Sequence, residues 1–161
     1  MTISRIVLAV VAAAGLAAAQ NANTIVVKVD NVGECPAANW TFDASQAATT
    51  STGTVGGKAQ ATALVVNRQL DQCSPRLLQL VFLGQHIPSV VLTQYDSTGR
   101  IAVLVVTLKD VTVSNYQVGG STATPMPGES VALSFSSITF EYRSTSGTVE
   151  AGWDFRLNHA I

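Results

Sequence analysis

Two histidines, His86 and His159, and two cysteines, Cys35 and Cys73, are the chain's whole stock of imidazoles and thiols. Acyl transfer of the Ser-His-Asp kind needs a histidine held against both a nucleophile and an acid. Serine and aspartate are plentiful, so such triads can be written down by coincidence, and spacing singles out none. His86 reads as a polar turn residue after a helix, and His159 as part of a loose C-terminal tail. The acidic residues are scattered singly. Asp96 and Asp110 fall at turns, where the carboxylate bonds to nearby backbone. Nothing brings two carboxylates together as a glycosidase requires. Asp30, Asp43 and Asp71 lack the dense oxygen spacing of a calcium loop. Gly53 to Gly57 lacks the Gly-Lys-Ser/Thr ending of a phosphate loop. Two cysteines far apart, without clustered histidines, make a poor zinc site. The residue types therefore predict no catalytic centre, no cofactor and no metal. Trp40 and Trp153 could serve as sugar-stacking platforms, but each sits at an alternating apolar position that favours packing into a core.

The first nineteen residues are set apart from the rest. Arg5 is a short basic start, Ile6 to Leu16 is an apolar run, and Ala17-Ala18-Ala19 offers the small residues of a cleavage site. The pattern predicts a secretory signal peptide over 1–19, cut after Ala19 or else after Ala22. The run is short for a spanning helix. An uncleaved anchor is the alternative. Residues 20–161 then form one domain. Losing Arg5 leaves 8 basic residues against 10 acidic. So balanced a surface gives no footprint for nucleic acid and no basic cluster for an anionic membrane. An exported protein with two cysteines is expected to join them. A Cys35–Cys73 bridge would close a loop of about 39 residues and stabilise by roughly 4 kcal/mol by chain entropy. Pairing within one subunit and pairing between subunits both remain open.

Only 12% of the chain is charged, and Thr, Ser, Ala and Val are abundant. Those residue types suit strands with neutral outer faces. Thr24–Asn31 alternates, with Ile25, Val27 and Val29 on one face, and Asn39–Ala44 repeats the pattern around Trp40 and Phe42. Ser45–Gly57 has no apolar period and reads as a long exposed loop. Lys58–Asn67 resumes as a strand. Ser74-Pro75 opens a helix of about ten residues, with Ser74 as N-cap, Leu77, Leu80 and Val81 on one stripe and Gly84 to end it. From Ser89 the period returns to two. Asp96-Ser97-Thr98-Gly99 joins Ser89–Tyr95 to Ile101–Leu108 as a hairpin. A tight Lys109-Asp110 connection leads into Val111–Val118. Gly119–Gly128 is a second exposed loop. Ser130–Phe135, Ile138–Arg143 and Gly152–Asn158 complete eight or nine strands, with Trp153, Phe155 and Leu157 turned inward. Such spacing predicts a mainly β domain, a closed or sandwich-like β-barrel with one short helix packed on its side or end.

Several segments resemble, in order, the Hcp (haemolysin-coregulated protein) family of type VI secretion. Gly33-Glu34-Cys35 is similar to the family's Gly-Glu-Ser. Leu70-Asp71-Gln72-Cys73-Ser74-Pro75 resembles its entry into a single helix, and Gly84-Gln85-His86-Ile87-Pro88 its Gly-Lys-His-Tyr-Pro exit. Thr107-Leu108-Lys109-Asp110-Val111, Gly119-Gly120, the Val131–Tyr142 strand pair and Gly152-Trp153-Asp154 follow in register. The likeness covers nearly all of the mature chain. It departs in two ways: the link from Cys35 to Trp40 is shorter, and a signal peptide precedes the domain.

The resemblance implies a small β-barrel of two packed antiparallel sheets with one short flanking α-helix, and a structural subunit rather than an enzyme. Family members close six copies into a ring and stack rings into a tube, so the expected partner is the chain itself, and a secreted protein cargo is a further possibility. The signal places the assembly outside the cytoplasm, in the periplasm or beyond the cell. Aligned with the family, Cys35 and Cys73 fall where the pattern has small residues, both beside the helix entry, which favours a bridge within the chain. Two long polar loops become candidate assembly segments, marked by Ser45, Gly53 and Gly57 in the first and Gly119, Gly120 and Pro127 in the second. Deleting residues within Ser45–Gly57 is expected to impair assembly before folding, and Val105→Asp to unfold the subunit. Competing readings are a carrier ring for a secreted effector, a monomeric glycan-binding module and, last, a small secreted hydrolase.

Overall fold

A computed structural model describes residues 25–46 and 57–161. The segment expected to be a signal peptide lies outside them, as does Gly53. The described residues are mostly strand. In chain order the strands are β1 (Ile25–Val29), β2 (Gly33–Ala37), β3 (Asn39–Thr41), β4 (Ala44–Gln46), β5 (Ala59–Ala61) and β6 (Leu64–Gln69). Helix α1 (Ser74–Leu83) follows. Then come β7 (His86–Tyr95), β8 (Ala102–Gly119), β9 (Gly128–Ser134), β10 (Ser137–Ser144), β11 (Gly147–Asp154) and β12 (His159–Ala160).

Ten strands form one antiparallel sheet that curls on itself, and β4 and β5 form a second sheet of two. Around the curl, β1 pairs β2 and β7, β7 pairs β8, β8 pairs β9, β9 pairs β6, and β6 pairs β3. The circuit closes where β2 runs into β3 through Ala38, whose N–H donates to the Asn67 carbonyl at 2.9 Å. Closure removes the open edges that a flat sheet would present. From the first half of β8 a wing of β10, β11 and β12 extends outward. The expected β-barrel with one flanking helix is what the chain builds.

One long strand makes this possible. The expected break at Lys109-Asp110 does not occur: β8 runs unbroken for 18 residues. Asp110 instead takes a left-handed conformation, φ 52°, which aspartate tolerates better than most side chains. Across from it the β7 register passes from Ile87↔Val111 to Ser89↔Lys109. The first half of β8 therefore serves β7 and β10, and the second half serves β9. A second irregularity, between Val113 and Asn115, re-aims the strand again.

Period two carries through to the core. Ile25, Val27 and Val29 of β1, Leu64 and Val66 of β6, and Val131 and Leu133 of β9 are all buried. In the first half of β8 the buried residues are Val106 and Leu108, whereas Val105 is only half-buried. The expectation that Val105 faces the core is corrected: almost every residue from Ile101 to Leu108 is apolar, so the sequence gives no parity there. Helix α1 lays Leu77 and Leu80 on the barrel, with Val81 partly buried beside them. Cys73, not Ser74, is its N-cap residue. Ser74 lies inside the helix, and its hydroxyl accepts the Asp71 N–H at 3.0 Å. Gly84 ends the helix in a left-handed conformation, φ 56°, as its position predicts.

Other expectations are corrected by local pairing. The stretch expected to begin a long loop contains β4, and β5 lies on its far side. Register pairs Ala44↔Ala61, Ser45↔Gln60 and Gln46↔Ala59, so these short strands form an arm. The strand expected over Gly152–Asn158 is β11, which starts earlier, at Gly147, ends at Asp154 and is paired along its length with β10. Its early residues alternate too weakly to read as strand. Leu157 sits in a turn after it and is exposed, not inward. His159 is not in a loose tail but pairs opposite Asp154.

Candidate functional site: a barrel with a stapled helix entry

Cys35, in the middle of β2, and Cys73, immediately before α1, are joined within the chain, with Cα atoms 6.1 Å apart. Both residues are buried. The bond fastens the helix entry to an outer strand of the curl. The entry is also fixed by Asp71, whose carboxylate accepts the Cys73 N–H at 2.7 Å.

Beside it lies a buried ionic group. Arg68 continues the inward row of Leu64 and Val66, and Glu129 stands directly opposite it at the head of the row Val131 and Leu133. Arg68 pairs with Asp71 and, at 3.3 Å, with Glu129. Tyr116 donates its hydroxyl to Glu129. Burial first, and then the bond to the anionic Glu129, push the Tyr116 phenol up to about 12. The Arg68 and Glu129 side chains are almost wholly enclosed. The group ties β6, β8 and β9 to the helix entry, and removing one member would strand a buried charge. Sequence reasoning missed it, although the inward parity of Leu64, Val66 and Arg68 was a usable signal.

The aromatic residues make a second packed layer. Phe42 lies 5.8 Å from Phe140 and 5.9 Å from Phe135, Trp40 lies 6.3 Å from Phe140, and Phe135 meets Phe155 edge-on at 5.9 Å, between ring centroids. They seat the β10–β11 wing against the chain beyond β3. Trp40 is half-buried, its indole N–H donating to Gln94 at 3.2 Å. Trp153 is also half-buried, lining an apolar groove of about 440 Å³ with Phe42, Ile138, Phe140 and Phe155.

His159 Nδ1 lies 2.7 Å from the Ala160 carbonyl oxygen. His86 opens β7, exposed, with Nε2 3.7 Å from the Asp110 carboxylate, which Arg156 approaches at 3.4 Å. Among the described residues no three of His, Cys, Asp and Glu converge as a metal site would require. Nor is any helix among them long and apolar enough to cross a membrane.

The residues expected to mark assembly segments separate into two groups. Ser45 lies exposed on β4, and Gly57 precedes β5, its carbonyl accepting the Gln46 side chain at 3.2 Å. Gly119 ends β8 opposite Gly128. Gly120 faces Pro127, whose carbonyl accepts the Leu70 N–H at 3.1 Å. One group is therefore the base of the arm and the other the β8–β9 turn.

A closed β-barrel with a flanking helix and a buried ionic group is the architecture of the described residues. The family described as "Type VI secretion system effector, Hcp" matches residues 27–142, and the chain belongs to that family. It is 30% identical over 104 residues to protein hcp1 of Pseudomonas aeruginosa, a match over 59% of this chain. That match spans 64% of the relative's own length, just under two thirds. The crystal structure of Hcp1 from Salmonella typhimurium superposes with a TM-score of 0.76 at 29% identity, over 87% of this chain and 99% of the other. A type VI secretion system effector from Yersinia pestis shares the fold, with a TM-score of 0.69 at 23% identity, over 81% and 98%.

Proposed function

We propose that the chain is a self-assembling subunit that closes six copies into a ring, with rings stacking into a tube outside the cytoplasm after residues 1–19 direct its export. Family membership supports a tube subunit. The observation that carries ring formation is a pair of separate apolar patches on one subunit. Phe82 and Leu83 protrude from the end of α1, 78% and 63% exposed. Tyr142 and Val149, directly opposite each other on the β10–β11 hairpin, are 56% and 69% exposed. Two different patches on one chain suit a head-to-tail contact, which generates a closed ring when the rotation closes. Large side chains left this exposed are otherwise a cost in solubility. The arm of β4 and β5 and the Gly119–Gly128 turn supply polar surface for contacts between rings.

The test is electron microscopy of the mature protein, purified from the exported fraction without reductant. Six-fold rings or stacks are the expected result. Isolated monomers across a wide concentration range would overturn the ring reading and favour a binding module.

A further inference from the structure

Among the described residues the β4–β5 arm is a two-stranded sheet, so each strand has one edge without a ladder partner there. An edge of this kind is normally covered, or it frays. The edge of β5 is met by a residue 99 positions further along the chain: the Ala59 N–H donates to the Asn158 side-chain oxygen at 3.2 Å. Asn158 is not free to wander. It sits at φ 55°, a left-handed conformation that asparagine accepts. The turn before it is organised by Asp154, whose carboxylate accepts the Arg156 and Leu157 N–H groups at 2.8 and 2.9 Å. On one side the turn is anchored by the Phe155 N–H to the Ser136 carbonyl at 2.9 Å. On the other, the Ile161 N–H returns to the Gly152 carbonyl at 3.2 Å. The contact therefore joins a rigid turn to a short strand that has little of its own to hold it.

We propose that the C-terminal turn is a clasp: Asn158 holds the edge of β5 and so fixes the direction in which the β4–β5 arm leaves the barrel. Its consequence for assembly rests on the ring reading above. An arm that leaves at one angle meets the next ring in one geometry, and an unclasped arm samples many.

Two variants separate the side chain from the backbone. Asn158→Gly keeps the left-handed conformation and removes the acceptor. Asn158→Asp keeps both. Hydrogen–deuterium exchange, read by mass spectrometry on a peptide covering residues 57–63 of the full mature protein, reports the clasp directly. In Asn158→Gly one amide should exchange about two- to ten-fold faster, the factor that one net hydrogen bond provides. Asn158→Asp should match the parent protein. Unchanged exchange in Asn158→Gly overturns the clasp. By electron microscopy Asn158→Gly should keep six-fold rings but form shorter stacks. Normal stacks alongside faster exchange would overturn the positioning role. If the parent protein forms no rings, the ring reading falls, and the exchange comparison still decides the clasp.

Discussion

Leu108 and Val111 of β8 both point into the core, although residues three apart on a regular strand face opposite sides. Asp110, left-handed between them, resets the alternation. Before it the even positions Val106 and Leu108 are buried, and after it the odd positions Val111 and Val113.

That reset decides which valine tolerates a charge. Val106→Asp would bury an unpaired carboxyl at a fully enclosed site and should abolish the folded state under ordinary conditions. Val105→Asp, on the half-buried outer face, should leave a folded subunit. Circular dichroism melts of the two variants give the comparison, and loss of fold in Val105→Asp alone would contradict the alternation.

The Cys35–Cys73 bond closes a loop across a sequence separation of 38. Replacing both by serine should lower unfolding free energy by about 4 kcal/mol on the chain-entropy argument. Urea midpoints of Cys35→Ser/Cys73→Ser against the oxidised parent measure it. Two free thiols in the denatured protein, labelled without reductant, would show that the bond is absent in solution.

The buried Tyr116–Glu129–Arg68 group has a signature at alkaline pH. The folded state raises the Tyr116 phenol to about 12, because burial and the Glu129 carboxylate disfavour phenolate. A folded pKa above the unfolded value stabilises below the unfolded value, near 10. That contribution is lost as pH rises from there through about 12. Ultraviolet titration should show one tyrosine ionising late, and Tyr116→Phe should remove that step. Separately, Glu129→Gln leaves the buried Arg68 with Asp71 alone and should cost about 3 kcal/mol by urea denaturation.

Gly152 is the one described glycine at which a methyl group meets close obstacles on several sides. A Cβ there would stand 2.8 Å from Ile161 Cγ1, 3.0 Å from Thr139 Oγ1 and 3.1 Å from the Ile138 carbonyl. Alanine normally strengthens a strand relative to glycine. Gly152→Ala should do the reverse here and cost roughly 1–3 kcal/mol through crowding. Adding removal of Ile161 to that variant should recover part of the loss, and no recovery would place the strain at Thr139 and the Ile138 carbonyl instead.

Much of this protein is set by the order of its residues alone. Alternation in Ile25–Val29 fixes which face is inward. Cys73-Ser74-Pro75 and Gly84 bound the helix, because capping and proline act within one turn of chain. Short segments from Gly33-Glu34-Cys35 to Gly152-Trp153-Asp154 carry the family resemblance. What sequence could not decide depends on groups that meet only after folding. The unbroken course of β8 turns on Asp110 taking a left-handed conformation while its neighbours stay paired, Lys109 with Ser89 and Ser137, and Val111 with Ile87. Arg68 and Glu129 look like surface residues until register sets them opposite each other in the core. The arm is defined by Ala44–Gln46 finding Ala59–Ala61, and its anchor by Asn158, 99 residues away from Ala59. Local propensity is a property of a few neighbouring residues, whereas register, closure and long-range caps follow from the energy of the whole barrel. Only the tertiary structure could supply them.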